Sequence, residues 1–296
     1  MNSNLINRRR LLAAGVGAAI AAPAVSAQQI PSEGYVRTAI ATICCDGFGD
    51  EDFRYAFESI PKLGVGYVEF NCWYPRNLTP RGLQSIRHRS DQANLTPISI
   101  QASSFGGGSN HEVSKEVSRL LWLIEACDRL GCDMIKCTGG RRGQAGGLDS
   151  LVQVLKAIAP EAERRGKRIV LENHHRNVIE FPDDYDYIFG KIDSPSIGMC
   201  FDMGHFARSG VSMEPLIDRW HKKIYEIDVK DADAVDGKKF VRFGTGIVDC
   251  EGIIAQCIER GYQGYLVLEL SLIDRATMLD DLHAGLEITR RFERNG

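Results

Sequence analysis

The chain has no basic excess. Its 296 residues carry 36 Lys and Arg against 39 Asp and Glu, a formal net charge of -3. A nucleic-acid-binding face needs a surplus of positive charge, so a nucleic-acid partner is not expected. The chain also has no apolar run of about 20 residues, the length a helix needs to cross a bilayer, so no stable membrane anchor is expected. No Gly-x-Gly-x-x-Gly follows the first strand-like segment, which argues against a dinucleotide site. No cysteine pair has zinc-site spacing, although there are nine cysteines. An odd count leaves at least one unpaired within a chain. Cys44, Cys72, Cys137 and Cys200 sit in apolar, strand-like runs, where Cys acts as a small buried hydrophobe. Cys127 with Cys132, or Cys44 with Cys45, are the remaining candidates for oxidation.

The N-terminus reads as a targeting segment. Asn7-Arg8-Arg9-Arg10-Leu11-Leu12 precedes a weakly apolar, Ala/Gly-rich run to Ala22, followed by Pro23 and Ala24-Val25-Ser26-Ala27. A charged, an apolar and a small-residue segment in that order describe an export signal over residues 1–27. Paired arginines followed by two leucines resemble a twin-arginine signal, with Asn7 at the usual Ser and Ala13 at the usual Lys. A plain Sec signal or an uncleaved anchor is the alternative. The expectation is export through the twin-arginine machinery to the periplasm or beyond, with a mature chain starting near Gln28.

From Tyr35 onward, strand-like and helix-like stretches alternate without a linker. The strands are expected at 38–44, 67–72, 96–102, 134–138, 168–173, 197–202, 224–229 and 265–270. Between them lie helical patterns such as 111–130, with Val113, Val117, Leu120, Leu121 and Ile124 on one side and Gly131 just past the end. Apolar strands alternating with helices imply parallel strands buried on both faces. Eight such units predict an α/β fold, a single-domain (β/α)₈ TIM barrel over 35–296.

Four of these strands end in an acid: Ile169 to His175 contains Glu172, Ile197 to His205 contains Asp202, Ile224 to Asp231 contains Asp228, and Tyr265 to Ser271 contains Glu269. A buried carboxylate needs a partner, because an isolated buried charge is very costly. Barrel active sites lie at the C-terminal ends of the strands, so the four acids share one rim. One divalent cation could serve all four. Side-chain alternation places His174 on the same face as Glu172 and turns His175 away. It also puts Glu69 with Asn71, and Lys136 with Thr138, on common faces. Each acid taken alone could instead be a structural strand-end charge paired to a basic neighbour. Asp231 is expected to cap a turn. Trp73 and Phe105 either stack on a sugar ring or simply pack. Gly139-Gly140-Arg141-Arg142-Gly143 is an anion loop or a solvated loop.

Leu-Glu-Asn-His at 171–174, Phe-Asp-Met-Gly-His at 201–205, Val-Lys-Asp at 229–231, Phe-Gly-Thr-Gly-Ile-Val-Asp at 243–249, and Gly-Tyr-x-Gly followed by Leu-Glu at 261–269 together resemble the xylose-isomerase-like TIM-barrel superfamily of sugar isomerases and epimerases. The resemblance covers nearly the whole chain after residue 35. It implies a metal held by Glu172, Asp202, Asp228 and Glu269, with Asp228 where the family has His. An all-carboxylate set favours Mn²⁺ or Mg²⁺ over softer ions. It also implies Glu172 and Glu269 as the catalytic proton-transfer pair and His205 as a contact to a substrate oxygen. His174, Lys136, Glu69 and Lys230 are further candidates for binding substrate.

The function expected on this basis is divalent-metal-dependent isomerisation or epimerisation of a sugar, keto-sugar or polyol by proton abstraction next to a carbonyl. A lyase or dehydratase acting on a keto-sugar or keto-glycoside uses the same chemistry. A non-catalytic sugar-binding pseudoenzyme is a third reading, prompted by the missing His. An abasic-site endonuclease on the same barrel would need several His ligands, which the chain lacks. The partners expected are a carbohydrate and the export machinery, with a homo-oligomer left open.

Overall fold

The computed structural model describes residues 34–49, 52–105 and 108–294. The expected export signal lies outside the described residues. Eight parallel strands form a closed barrel: β1 (Val36–Ala41), β2 (Tyr67–Asn71), β3 (Thr96–Phe105), β4 (Met134–Gly139), β5 (Arg168–Glu172), β6 (Ile197–Asp202), β7 (Ile224–Val229) and β10 (Gly264–Leu268). The order around the barrel is β1-β10-β7-β6-β5-β4-β3-β2, so consecutive units are spatial neighbours. The two-residue strands β8 (Asp231–Ala232) and β9 (Phe240–Val241) pair antiparallel beside the mouth.

The helices wrap the barrel. Among them α4 (Asn110–Leu130) starts in a Ser109–Glu112 capping box and ends at Gly131, whose φ of 83° favours a residue without Cβ. It buries Leu120, Leu123, Ile124, Cys127 and Leu130, a stripe at helical spacing. Each such side chain contributes roughly 1.5–3 kcal/mol by leaving water. The bottom of the barrel is plugged by Met134, Val170 and Cys200, with Tyr225 and Tyr265 packed against them. Gly198 on β6 is required here: a Cβ would lie 2.2 Å from the Tyr225 ring.

Two expectations about elements need correction. The first strand stops at Ala41, because the Asn71 side chain accepts from the Thr42 hydroxyl and the Ile43 amide and turns the chain into the short helix α1 (Ile43–Asp46). Cys44 and Cys45 are therefore helical. A helix also follows β6 directly: α7 (Met203–Arg208), capped by the Asp202 carboxylate, which accepts from the His205 amide at 2.8 Å.

Candidate active site

Four adjacent strands deliver the four acids to one place. Glu172 and Asp202 end β5 and β6, Asp228 is the penultimate residue of β7, and Glu269 follows β10 by one residue. Asp202 stands opposite Asp228 in the β6–β7 register. One oxygen from each of Glu172, Asp202, Asp228 and Glu269 lies within 4.8 Å of the others, and all four are buried.

Two buried ammonium groups sit among them. Lys136 Nζ lies 2.6 Å from Glu269 Oε2, 2.6 Å from Glu69 Oε1 and 2.9 Å from Asp228 Oδ2. Lys230 Nζ lies 2.6 Å from Asp202 Oδ2 and 2.9 Å from Glu269 Oε1. Lys230 reaches this point across Gly204, where a Cβ would stand 2.7 Å from the Lys230 Cγ. The glycine of Phe-Asp-Met-Gly-His thus leaves room for the lysine of Val-Lys-Asp.

These contacts split the acids into unlike states. Burial raises Glu269, but Lys136 and Lys230 override it and hold its carboxyl well below the usual range. Glu172 has no ion pair among the described residues and accepts a 3.2 Å hydrogen bond from Gln101 Nε2. Burial and the nearby Glu269 charge push it up to about 8, despite the two lysines. Asp228 is raised by burial, which outweighs Lys136, and Asp202 is raised by burial, offset in part by Lys230. For both lysines burial favours the neutral amine, yet the carboxylates outweigh it and keep them charged.

The residues fit a divalent cation. Four carboxylate oxygens form a hard donor set, and Asp228 Oδ1 is buried and accepts no hydrogen bond among the described residues. With all four carboxylates ionised, as ligation requires, the two ammonium groups fall short of neutralising them by at least two charges, since Lys136 is shared with Glu69.

The two histidines have complementary faces. His205 Nδ1 accepts from the His175 backbone N–H at 3.2 Å, so its proton is on Nε2, where it can be donated. That tautomer suits a contact to a substrate oxygen and not a metal bond through Nε2. His174 Nδ1 lies 3.1 Å from the His175 carbonyl oxygen, which places its proton there and leaves Nε2 as an acceptor. The rings lie against each other with centroids 3.7 Å apart and planes tilted by 33°. Burial, then Lys230, lowers His174 to about 4 and His205 well below its usual value, so both are neutral at pH 7. His175 points away, with Nδ1 3.0 Å from Ser209 Oγ.

Above the acids opens a cavity of about 430 Å³ lined by Glu172, Glu269, His174, His205 and Lys230, together with Thr138, Gln101, Arg119, Arg208, Phe240, Phe48 and Trp73. Lys136 and Glu69, expected to touch substrate, do not line it and are fully buried. The reason is the layering of inward side chains. Thr138 stands level with Glu172, so Lys136, two residues earlier, lies one layer deeper. Glu69 is in that lower layer, where it accepts a 2.6 Å hydrogen bond from Ser99 Oγ. Both act from beneath the site as charge partners.

Gln101, Arg119, Arg208 and Phe240 were not legible as site residues. Only Gln101 had a signal, the strand alternation from Ser99. Asp231 caps a turn as expected, accepting from the amides of Gly246 and Val248 at 2.7 and 3.0 Å. Arg142 pairs with Glu180 and Asp184, so its guanidinium is not free for an anion. The Phe105 side chain lies outside the described part of the structure. All nine cysteines are free and buried, and burial pushes thiols such as Cys44 and Cys257 up to about 12, which makes them inert.

A family model described as "Xylose isomerase-like TIM barrel" matches residues 57–289. An inosose dehydratase of Clostridium beijerinckii is 24% identical over 135 residues, 40% of this chain and 45% of that protein, so the match spans less than half of the relative. An inosose isomerase of Bacillus licheniformis is 22% identical over 228 residues, 72% of this chain and 82% of that protein. A solved structure titled as IOLI protein with a binding zinc atom superposes with a TM-score of 0.72 at 15% identity, covering 88% of this chain and 100% of that one.

Proposed function

The chain belongs to the xylose isomerase-like TIM barrel family, and from that premise we propose that it is a divalent-metal-dependent isomerase or epimerase of a sugar, keto-sugar or polyol derivative. The observation that carries this reading is the convergence of four buried carboxylates, from four neighbouring strand ends, with Glu172 and Glu269 lining one cavity and Asp202 and Asp228 packed directly against them. A cation held by Glu172, Asp202, Asp228 and Glu269 would polarise the substrate carbonyl and stabilise negative charge developing on its oxygen. Mn²⁺ or Mg²⁺ suits the all-oxygen donor set.

The protein's own groups do the rest. Glu172, whose proton affinity lies near neutrality, removes the carbon-bound proton, because a base works best with a pKa near the working pH. His205 donates its Nε2–H to a substrate oxygen, and His174 Nε2 accepts from a neighbouring hydroxyl. Return of the proton by Glu172 to the adjacent carbon, with a hydroxyl proton passing from one substrate oxygen to the other, completes an isomerisation. An epimerisation runs between the two faces: the ionised Glu269 takes the carbon-bound proton from one face, and a protonated Glu172 delivers one to the other. Lys136 and Lys230 keep Glu269 ionised between turnovers.

A dehydratase uses the same first step. The enolate then expels hydroxide from the neighbouring carbon, and the Lys230 ammonium or the His205 Nε2–H supplies the proton that makes it water. The Clostridium beijerinckii relative, named a dehydratase, favours keeping this as the second reading. Export through the twin-arginine route, with the mature protein in the periplasm, completes the proposal and rests on residues 1–27.

Isotope exchange tests it. The protein with Mn²⁺ is incubated with a panel of keto-sugars and keto-glycosides in D₂O and followed by NMR. Deuterium at one carbon is expected, its position showing where the proton moves. No exchange on any keto-sugar or keto-glycoside with any divalent ion refutes the proton-transfer reading.

A further inference from the structure

The cavity is larger than one sugar ring requires. A hexose of about twelve non-hydrogen atoms fills roughly 200–250 Å³ at protein-like packing density, against a cavity of about 430 Å³. Its lining includes two aromatic rings that the proton chemistry does not use. Phe48, in the loop after α1, and Trp73, two residues past β2, stack with centroids 4.8 Å apart and planes 17° from parallel. The Tyr74 hydroxyl donates to the Phe48 carbonyl oxygen and ties the two loops together. Phe48 is 67% exposed and Trp73 37% exposed, although both line the cavity. The Trp73 indole N–H has no hydrogen-bond partner among the described residues. By contrast Trp122 and Trp220 donate theirs to Leu78 O and Asp186 Oδ1.

Exposed aromatic rings joined to a polar pocket are suited to the flat, C–H-lined face of a second ring, with the indole N–H free for one of its hydroxyls. We infer that Phe48 and Trp73 form a subsite for the aglycone ring of a glycoside, so that the substrate is a glycosidically linked sugar and not a free monosaccharide. The inference rests on the proposed function for the sugar at the acids. The ring recognised is a second pyranose or an aromatic aglycone, since both present the same flat apolar face.

Equilibrium binding tests the subsite without turnover. The protein, loaded with Mn²⁺, is titrated by calorimetry with glucose, cellobiose, and the α and β anomers of p-nitrophenyl glucoside. Tryptophan fluorescence is followed with glucose and cellobiose, which do not absorb in its range, and its loss in Trp73→Ala identifies the part due to Trp73 against Trp122 and Trp220. The expected result is at least tenfold tighter binding of a glycoside than of glucose, accompanied by a fluorescence change. Trp73→Ala should abolish that preference and leave glucose affinity unchanged, while Trp73→Phe should restore most of it. Cellobiose against the nitrophenyl compounds shows which kind of ring is preferred. Equal or absent binding of the glycosides, or a preference that survives Trp73→Ala in a folded variant, overturns the inference. The two ideas fail separately. Deuterium exchange on free keto-sugars without glycoside preference removes only the subsite, and Trp73-dependent glycoside binding without exchange removes only the catalytic reading.

Discussion

Replacing Lys136 with Met tests the charge balance on which the site depends. The ammonium group is fully buried and contacts Glu69, Asp228 and Glu269 at 2.6 to 2.9 Å. Methionine fills a similar volume, so the perturbation is mainly electrostatic. Breaking a buried pair by removing one partner costs about 3–5 kcal/mol. At about 2–4 °C of Tm per kcal/mol for a domain of this size, Lys136→Met should melt roughly 6–20 °C below the parent protein. The lost positive charge also leaves Asp228 and Glu269 with a greater need for a cation. Mn²⁺ at one hundred times its Kd adds about 2.7 kcal/mol to any protein that binds it only when folded. In the variant Mn²⁺ should bind more tightly, so a fixed Mn²⁺ concentration should raise its Tm by more than it raises the parent's. Thermal melts at pH 7, with and without Mn²⁺, read both effects. A variant melting within about 2 °C of the parent, with the same response to Mn²⁺, would refute the argument that Lys136 holds the carboxylates together.

Other perturbations address the rest of the site. Asp228→His should keep cation binding and shift preference towards Zn²⁺; complete loss of metal in elemental analysis would show that this strand position does not face the ion. The pH dependence follows from Glu172, raised to about 8 in the fold against an ordinary value of 4.5. Its contribution to the stability of cation-free protein is full below 4.5 and is lost as pH rises through about 8. Tm without metal should therefore fall from pH 5 to 9, while Mn²⁺ affinity rises over the same window with release of at least one proton. A Mn²⁺ affinity that is flat from about pH 6 to 9 by calorimetry contradicts this assignment. Arg8→Lys with Arg9→Lys should hold the precursor in the cytoplasm on cell fractionation, and undiminished export would point to the general secretory route.

Much of this architecture was legible in the residues. Strands 197–202 and 224–229 coincide with β6 and β7, because apolar runs bounded by turn residues leave little choice of ends. The four acids were legible because each terminates such a run. His174 and His175 followed from alternation along one strand. The helix α7 had a signal, an Asp N-cap followed by Gly210 with a φ of 66°, but one and a half turns directly after a strand do not show helical periodicity. Arg119, Arg208 and Phe240 come from elements whose sequences look like ordinary surface, so only folding reveals that they line the cavity.

The sequence by itself determined the barrel, the rim on which the acids meet and the pattern of inward and outward side chains, since these depend on period and on neighbouring strand ends. Depth and partnership were decided by the tertiary structure. Lys136 and Thr138 share a face and read alike, yet one lies beneath the acids and the other at the cavity wall. Glu172 and Glu269 also read alike, yet two ammonium groups reach Glu269 and a single amide reaches Glu172. A carboxyl group's proton affinity is set by what lies within a few ångströms of it, and for these two the neighbours come from strands distant in the chain.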